Sequence, residues 1–77
     1  MLTTAFILIN TKPEALLDTA LKQIGELPEV KEINALYGVF DLVAKVQVET
    51  MAQLRNQVFN KIRKIDKVRS TVTLVVR

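Results

Sequence analysis

The segment Tyr37-Gly38-Val39-Phe40-Asp41-Leu42-Val43 sets a glycine between two β-rich stretches and puts an aspartate at the mouth of the second. Gly38 supplies the backbone freedom that a tight hairpin needs, so the segment joins two antiparallel strands. Asp41 is harder to place. Strands disfavour aspartate, and the residues that follow it are apolar. A carboxylate there either caps the turn or holds something, and the answer decides whether this chain binds a ligand.

Before the hairpin, Val30 to Tyr37 reads as a strand made polar by Lys31, Glu32 and Asn34. After it, Phe40, Leu42, Ala44, Val46 and Val48 alternate as in a half-buried strand. Leu2 to Ile9 is uncharged, β-branched and aromatic, which reads as a buried strand. Thr11 and Glu14 have capping-box spacing and Pro13 suits a first helical turn, followed at helical period by Leu16, Leu17, Ala20, Leu21 and Ile24. Gly25 and Pro28 end that helix. Thr50 and Gln53 form a second capping pair, ahead of an apolar stripe of Met51, Leu54, Val58, Ile62 and Ile65 with Phe59 beside it. Val68 to Val76 is the last strand.

The order is βαββαβ, and its halves match at a spacing of 38 residues: Leu16 with Leu54, Ala20 with Val58, Ile24 with Ile62, Val30 with Val68, Lys31 with Arg69. Two related βαβ units predict an α+β, ferredoxin-like sandwich: a four-stranded antiparallel sheet with two helices on one face, in a single domain spanning residues 1–77. The first and third strands are expected centrally and the polar second strand at an edge. A two-residue Gly38-Val39 turn would put Asp41 on the open face, whereas the repeat asks for the other parity in the second strand, and hence a longer loop or a bulge.

The first strand offers Ala5, Ile7 and Ile9 to one face and Phe6 and Leu8 to the other. Strands apolar on both faces expect cover on both. With two helices on one side, the open face is expected to pack against an identical chain, giving a dimer. The plain alternative is an exposed sheet of threonines and valines. A hydrophobic content of 49% in 77 residues and a mean hydropathy of +0.23 favour the dimer.

Composition narrows the chemistry. Absence of cysteine and histidine removes disulfides, thiol nucleophiles and the usual zinc ligands, and a reducing cytoplasm fits. The apolar start, Met1 to Ile9, lacks a basic opening and a cleavage site and reads as a strand, not a leader. No run approaches a membrane span. Gly25 and Gly38 stand alone, so there is no phosphate loop. No metal, cofactor or catalytic residue is expected, and the chain reads as a non-enzyme. A net charge of +3 permits nucleic-acid contact, but one tyrosine and no tryptophan leave no stacking platform. A lone carboxylate such as Asp41 suits an ammonium group better than catalysis. Ser70, Thr71 and Thr73 could recognise a carboxylate or amide, or simply reflect threonine's preference for strands.

The chain resembles the effector-binding domain of the Lrp/AsnC regulators, the RAM domain (regulation of amino-acid metabolism). The resemblance runs through Ala5-Phe6-Ile7-Leu8-Ile9, Leu27-Pro28-Glu29-Val30, the Tyr37–Val43 segment and Arg69-Ser70-Thr71-Val72-Thr73-Leu74-Val75-Val76. Regulators of this family carry an N-terminal helix-turn-helix domain, whereas this sequence opens on the first strand and looks like a stand-alone form, so direct DNA binding is not expected. Phe40 replaces a frequent tyrosine. The resemblance implies dimers whose sheets face each other, assembled into a ring such as an octamer or decamer. It implies an amino acid or related small metabolite held between dimers, with Tyr37, Gly38, Phe40, Asp41, Thr71 and Thr73 as contacts. It further implies modulation of Lrp/AsnC-type transcription regulators, including hetero-assembly with full-length ones. The competing reading is a purely structural oligomerisation domain with a vestigial effector site.

Overall fold

In the computed structural model, which describes residues 2–77, β1 (Thr3–Thr11), α1 (Leu17–Gly25), β2 (Val30–Ala35) and β3 (Leu42–Val48) are followed by a second helix and β4 (Val68–Val75). The second helix is continuous through α2 (Met51–Gln53), a π-wound stretch (Leu54–Phe59) and α3 (Asn60–Arg63). Met1, the first residue of the apolar N-terminal run, lies outside the described residues.

The antiparallel sheet has the order β2-β3-β1-β4, with the most apolar strands central and polar β2 on an edge, as the sequence predicts. In the central strands, Ala5, Ile7, Ile9, Leu42, Ala44, Val46 and Val48 turn to the helices, where Ala20, Ile24, Leu54, Val58 and Ile62 complete the core. Leu54, Val58 and Ile62 recur strictly every four residues. In an α-helix that spacing drifts by about 40° per step. The wider π winding over Leu54–Phe59 offsets the drift and keeps these buried side chains on one face.

The helix starts differ. At the second helix the capping box forms in full: Gln53 N–H donates to Thr50 Oγ1 at 3.1 Å, and Thr50 N–H donates to Gln53 Oε1 at 3.3 Å. At the first, the expected Thr11–Glu14 box does not form and the helix starts only at Leu17, behind an uncapped Leu16. Thr11 stays in β1, and both its N–H and its hydroxyl are given to Asp41. The intervening residues turn instead, with Ala15 N–H donating to the Lys12 carbonyl at 2.9 Å. Leu16, expected in the core stripe, is therefore 72% exposed, while its counterpart Leu54 is buried.

Elsewhere the two halves correspond closely. Both helices leave through the same chain of backbone bonds: Leu27 N–H to Ile24 O and Val30 N–H to Leu27 O in one, Ile65 N–H to Ile62 O and Val68 N–H to Ile65 O in the other. Each following strand then slips register at the matching place, between Val30 and Glu32 against β3 and beside Arg69 against β1. These bulges answer the parity question. Ala35 pairs with Leu42, the register of a short hairpin, and the bulge at Lys31 returns Val30 to the core side opposite Val46.

Candidate functional site

Pairing between β2 and β3 ends at the hydrogen bond from Leu36 N–H to the Asp41 carbonyl, 2.8 Å, leaving Tyr37–Phe40 as a four-residue connection. Within it Gly38 has φ +134°, and a Cβ there would meet nothing within 4 Å. Space therefore does not require glycine at this position, but backbone conformation does. Gly38→Ala is expected to cost about 1 kcal/mol, read as a lowered denaturation midpoint. Tyr37 and Val39 are almost wholly exposed at the tip, while Phe40 and Asp41 are half-buried at its base.

Asp41 ties the connection to the sheet. Its N–H donates to the Ile9 carbonyl at 3.0 Å. Its Oδ2 accepts from Thr11 N–H at 2.8 Å and from Thr11 Oγ1 at 3.0 Å. An ionised carboxylate taking two donors on one oxygen is a firm anchor. This is a form of the turn-capping role, although it fastens the loop to the end of β1 and not to the hairpin itself. Among the described residues only Oδ2 is so engaged.

Thr71 and Thr73 lie elsewhere. They pair with Ile9 and Ile7 on the outer side of β1, so they share the helix-facing side of the sheet with the core. They line an open groove of about 540 Å³ together with Ser70, Arg69 and, from the second helix, Phe59 and Arg63. Tyr37, Gly38, Phe40 and Asp41 are thus gathered at one sheet end, Thr71 and Thr73 line a groove beside β4, and β1 separates β3 from β4. Within one subunit, β1 lies between the two groups.

Thr11, Phe59 and Arg63 are not site residues on sequence grounds. Thr11 has the spacing of a helix cap, and Arg63 sits among basic residues that read as a solvated face. The repeat itself holds the missing signal for the groove, since it sets Arg63 against Gly25, Thr71 against Ile33 and Thr73 against Ala35.

The open face carries a contiguous apolar patch. Phe6 lies between Lys45 and Leu74, and Leu8 between Val43 and Val72, with Val72 and Leu74 44% and 54% exposed. Among the described residues no helix is long and apolar enough to cross a membrane.

Three comparisons bear on this arrangement. An uncharacterised HTH-type transcriptional regulator of Pyrococcus abyssi is 37% identical over 75 residues, 95% of this chain and 50% of that protein. The chain thus spans about half the length of the curated relatives it matches. The crystal structure of TTHA0845 from Thermus thermophilus superposes with a TM-score of 0.89 at 32% identity, covering 97% of this chain and 92% of that one. The transcriptional regulator NMB0573 of Neisseria meningitidis, solved as a complex with L-Met, has a TM-score of 0.86 over 97% of this chain and 49% of that one. At 18% identity this likeness is of fold alone. The model of the Lrp/AsnC ligand-binding domain matches residues 4–77, and this α+β, ferredoxin-like chain belongs to that family, the regulatory ligand-binding domain of transcription regulators.

Proposed function

We propose that the chain is an amino-acid sensing module whose effector site is shared between subunits, and that effector binding there modulates Lrp/AsnC-type transcription regulators. The observation that carries this reading is the separation of Tyr37, Gly38, Phe40 and Asp41 from Thr71 and Thr73 across β1. A second chain lets one ligand touch copies of both groups without crossing β1. The exposed Tyr37 and Val39 at the hairpin tip give that chain something to pack against, and the apolar patch on the open face gives it a way to dimerise. Dimers then assemble into a ring, with full-length relatives as mixed partners.

In this reading Gly38 lets the backbone approach the ligand. Asp41 orders the loop through Thr11 and offers its other oxygen to the ammonium group, while the threonine hydroxyls serve the carboxylate or side chain. The bond to Thr11 also favours a second reading, a structural ring former in which Asp41 only anchors the loop and the site is vestigial.

Titration calorimetry with the twenty amino acids on wild type, Asp41→Ala and Asp41→Asn separates the two. Asp41→Ala deletes both bonds to Thr11 and is expected to cost about 1–3 kcal/mol of stability in either reading. Asp41→Asn keeps an acceptor for Thr11 and removes the charge, so it is expected to preserve most of the stability and lose at least about tenfold in amino-acid affinity. Unchanged affinity in Asp41→Asn would refute the ammonium role. No binding and no thermal shift with any amino acid at millimolar concentration would leave the structural reading, because a ligand that binds only the folded state must raise the melting temperature.

A further inference from the structure

The internal repeat supplies a control for the groove beside β4. On the β2 side the matching positions carry no polar side chain. Gly25 lets α1 approach so closely that a Cβ there would sit 3.3 Å from Ile33 Cγ2, and Ile33 and Ala35 point to the helix layer opposite Ala44 and Leu42. On the β4 side the same framework carries Arg63, Thr71 and Thr73, and the two layers stand apart around about 540 Å³. The fold therefore tolerates residues without polar side chains at this place, and the second half departs from them at each of these three positions.

The departure has one chemical direction. The lining residues are two arginines, Phe59, Ser70, Thr71 and Thr73, with no carboxylate, and the Ser70 hydroxyl accepts from Asn10 Nδ2 at 3.5 Å. Among the described residues the one ion pair is Lys61–Glu29, so neither Arg63 nor Arg69 has an acidic partner within 4.0 Å. The π-wound stretch ends at Phe59, on the groove wall, and such local widening recurs at functional sites. A volume of this order suits a small molecule, and unpaired guanidiniums flanked by hydroxyls suit carboxylate oxygens.

We propose that this groove selects a small dicarboxylate, an acidic amino acid or its analogue without the amino group, through Arg63 and Arg69, with Thr71 and Thr73 as hydroxyl donors. The inference rests on the effector-module reading and names the ligand class for it. The amino group, where present, is left to Asp41 of another subunit, because the groove offers no anion to hold it.

The test is titration calorimetry on the full chain at low salt with L-glutamate, L-aspartate, L-glutamine, L-asparagine, glutarate and inorganic phosphate. Each is titrated into wild type, Arg63→Gln and Arg69→Gln, both exposed positions, with thermal melts to check the fold. Glutamate or aspartate is expected to bind at least about tenfold more tightly than its amide. Arg63→Gln is expected to erase most of that preference while amide binding and melting temperature hold. Equal affinity for acid and amide, tighter binding of phosphate, an acid preference that survives both substitutions, or no binding of any anion would overturn the proposal. Tight binding of a neutral amino acid with weak binding of the acids would overturn it while leaving the amino-acid reading intact. Glutarate binding as tightly as glutamate would uphold the groove and remove the amino-acid reading, since the ammonium would then go unrecognised.

Discussion

Replacing Ile7 by alanine is expected to cost about 3–4 kcal/mol and to leave the chain near the edge of folding. Ile7 is fully buried at the centre of the sheet, paired with Ala44 on one side and Thr73 on the other, and it faces the helix layer. Its flanking partners are small, so little side chain is at hand to refill the space. Removal of a buried isoleucine to alanine costs about 2–5 kcal/mol, with poor collapse at the upper end. Domains are stable by about 0.05–0.15 kcal/mol per residue, and the loss is therefore a large share of what a chain of 77 residues has. At about 4–8 °C per kcal/mol for a small domain, the melting temperature should fall by at least about 12 °C. Calorimetry at fixed protein concentration checks this. A fall of only a few degrees would mean that the core closes around the cavity.

Introducing a charge at Val72 should instead alter assembly and spare the fold. Val72 lies on the open face against Leu8, with Val43 beyond it, and is 44% exposed in the single chain. A lysine there can carry its ammonium into water over its own methylenes, so the isolated chain should change by no more than about 0.5 kcal/mol. In a dimer that buries this face, the same ammonium loses its water without gaining a partner, a penalty of several kcal/mol per ion. Val72→Lys is therefore expected to shift native mass spectra from dimers and their multiples toward monomer. An unchanged mass distribution would show that the subunits do not meet through this face.

Periodicity made most of the fold legible. The alternation in β3, the uncharged run of β1 and the Thr50–Gln53 cap each have a local cause, and each appears where the sequence places it. The hairpin register was left open by the sequence, and the structure combines the short-hairpin pairing of Ala35 with Leu42 and a bulge at Lys31. The start of the first helix was not legible, because the competitor for Thr11 is 30 residues away. Thr11 matches a local capping signal, but Asp41 takes both of its donors and keeps it in the strand. A window of neighbouring residues cannot weigh a carboxylate delivered by a different strand.

The candidate site divides along the same line. From sequence, Asp41 stands out as a carboxylate its strand disfavours, whereas the hydroxyls of the last strand also fit threonine's preference for strands. The register was needed to show that β1 separates them, that Asp41 is anchored on Thr11, and that Arg63 shares a groove with Thr71 and Thr73.

By itself the sequence determined the βαββαβ order, the strands at the centre of the sheet and the apolar character of both sheet faces. These follow from hydrophobic period and turn chemistry, which act over a few residues. Only the tertiary structure decided what Asp41 holds, which face Thr71 and Thr73 take and which residues share a groove with them. Those outcomes depend on strand register and helix approach, which are set by contacts between residues far apart in the chain.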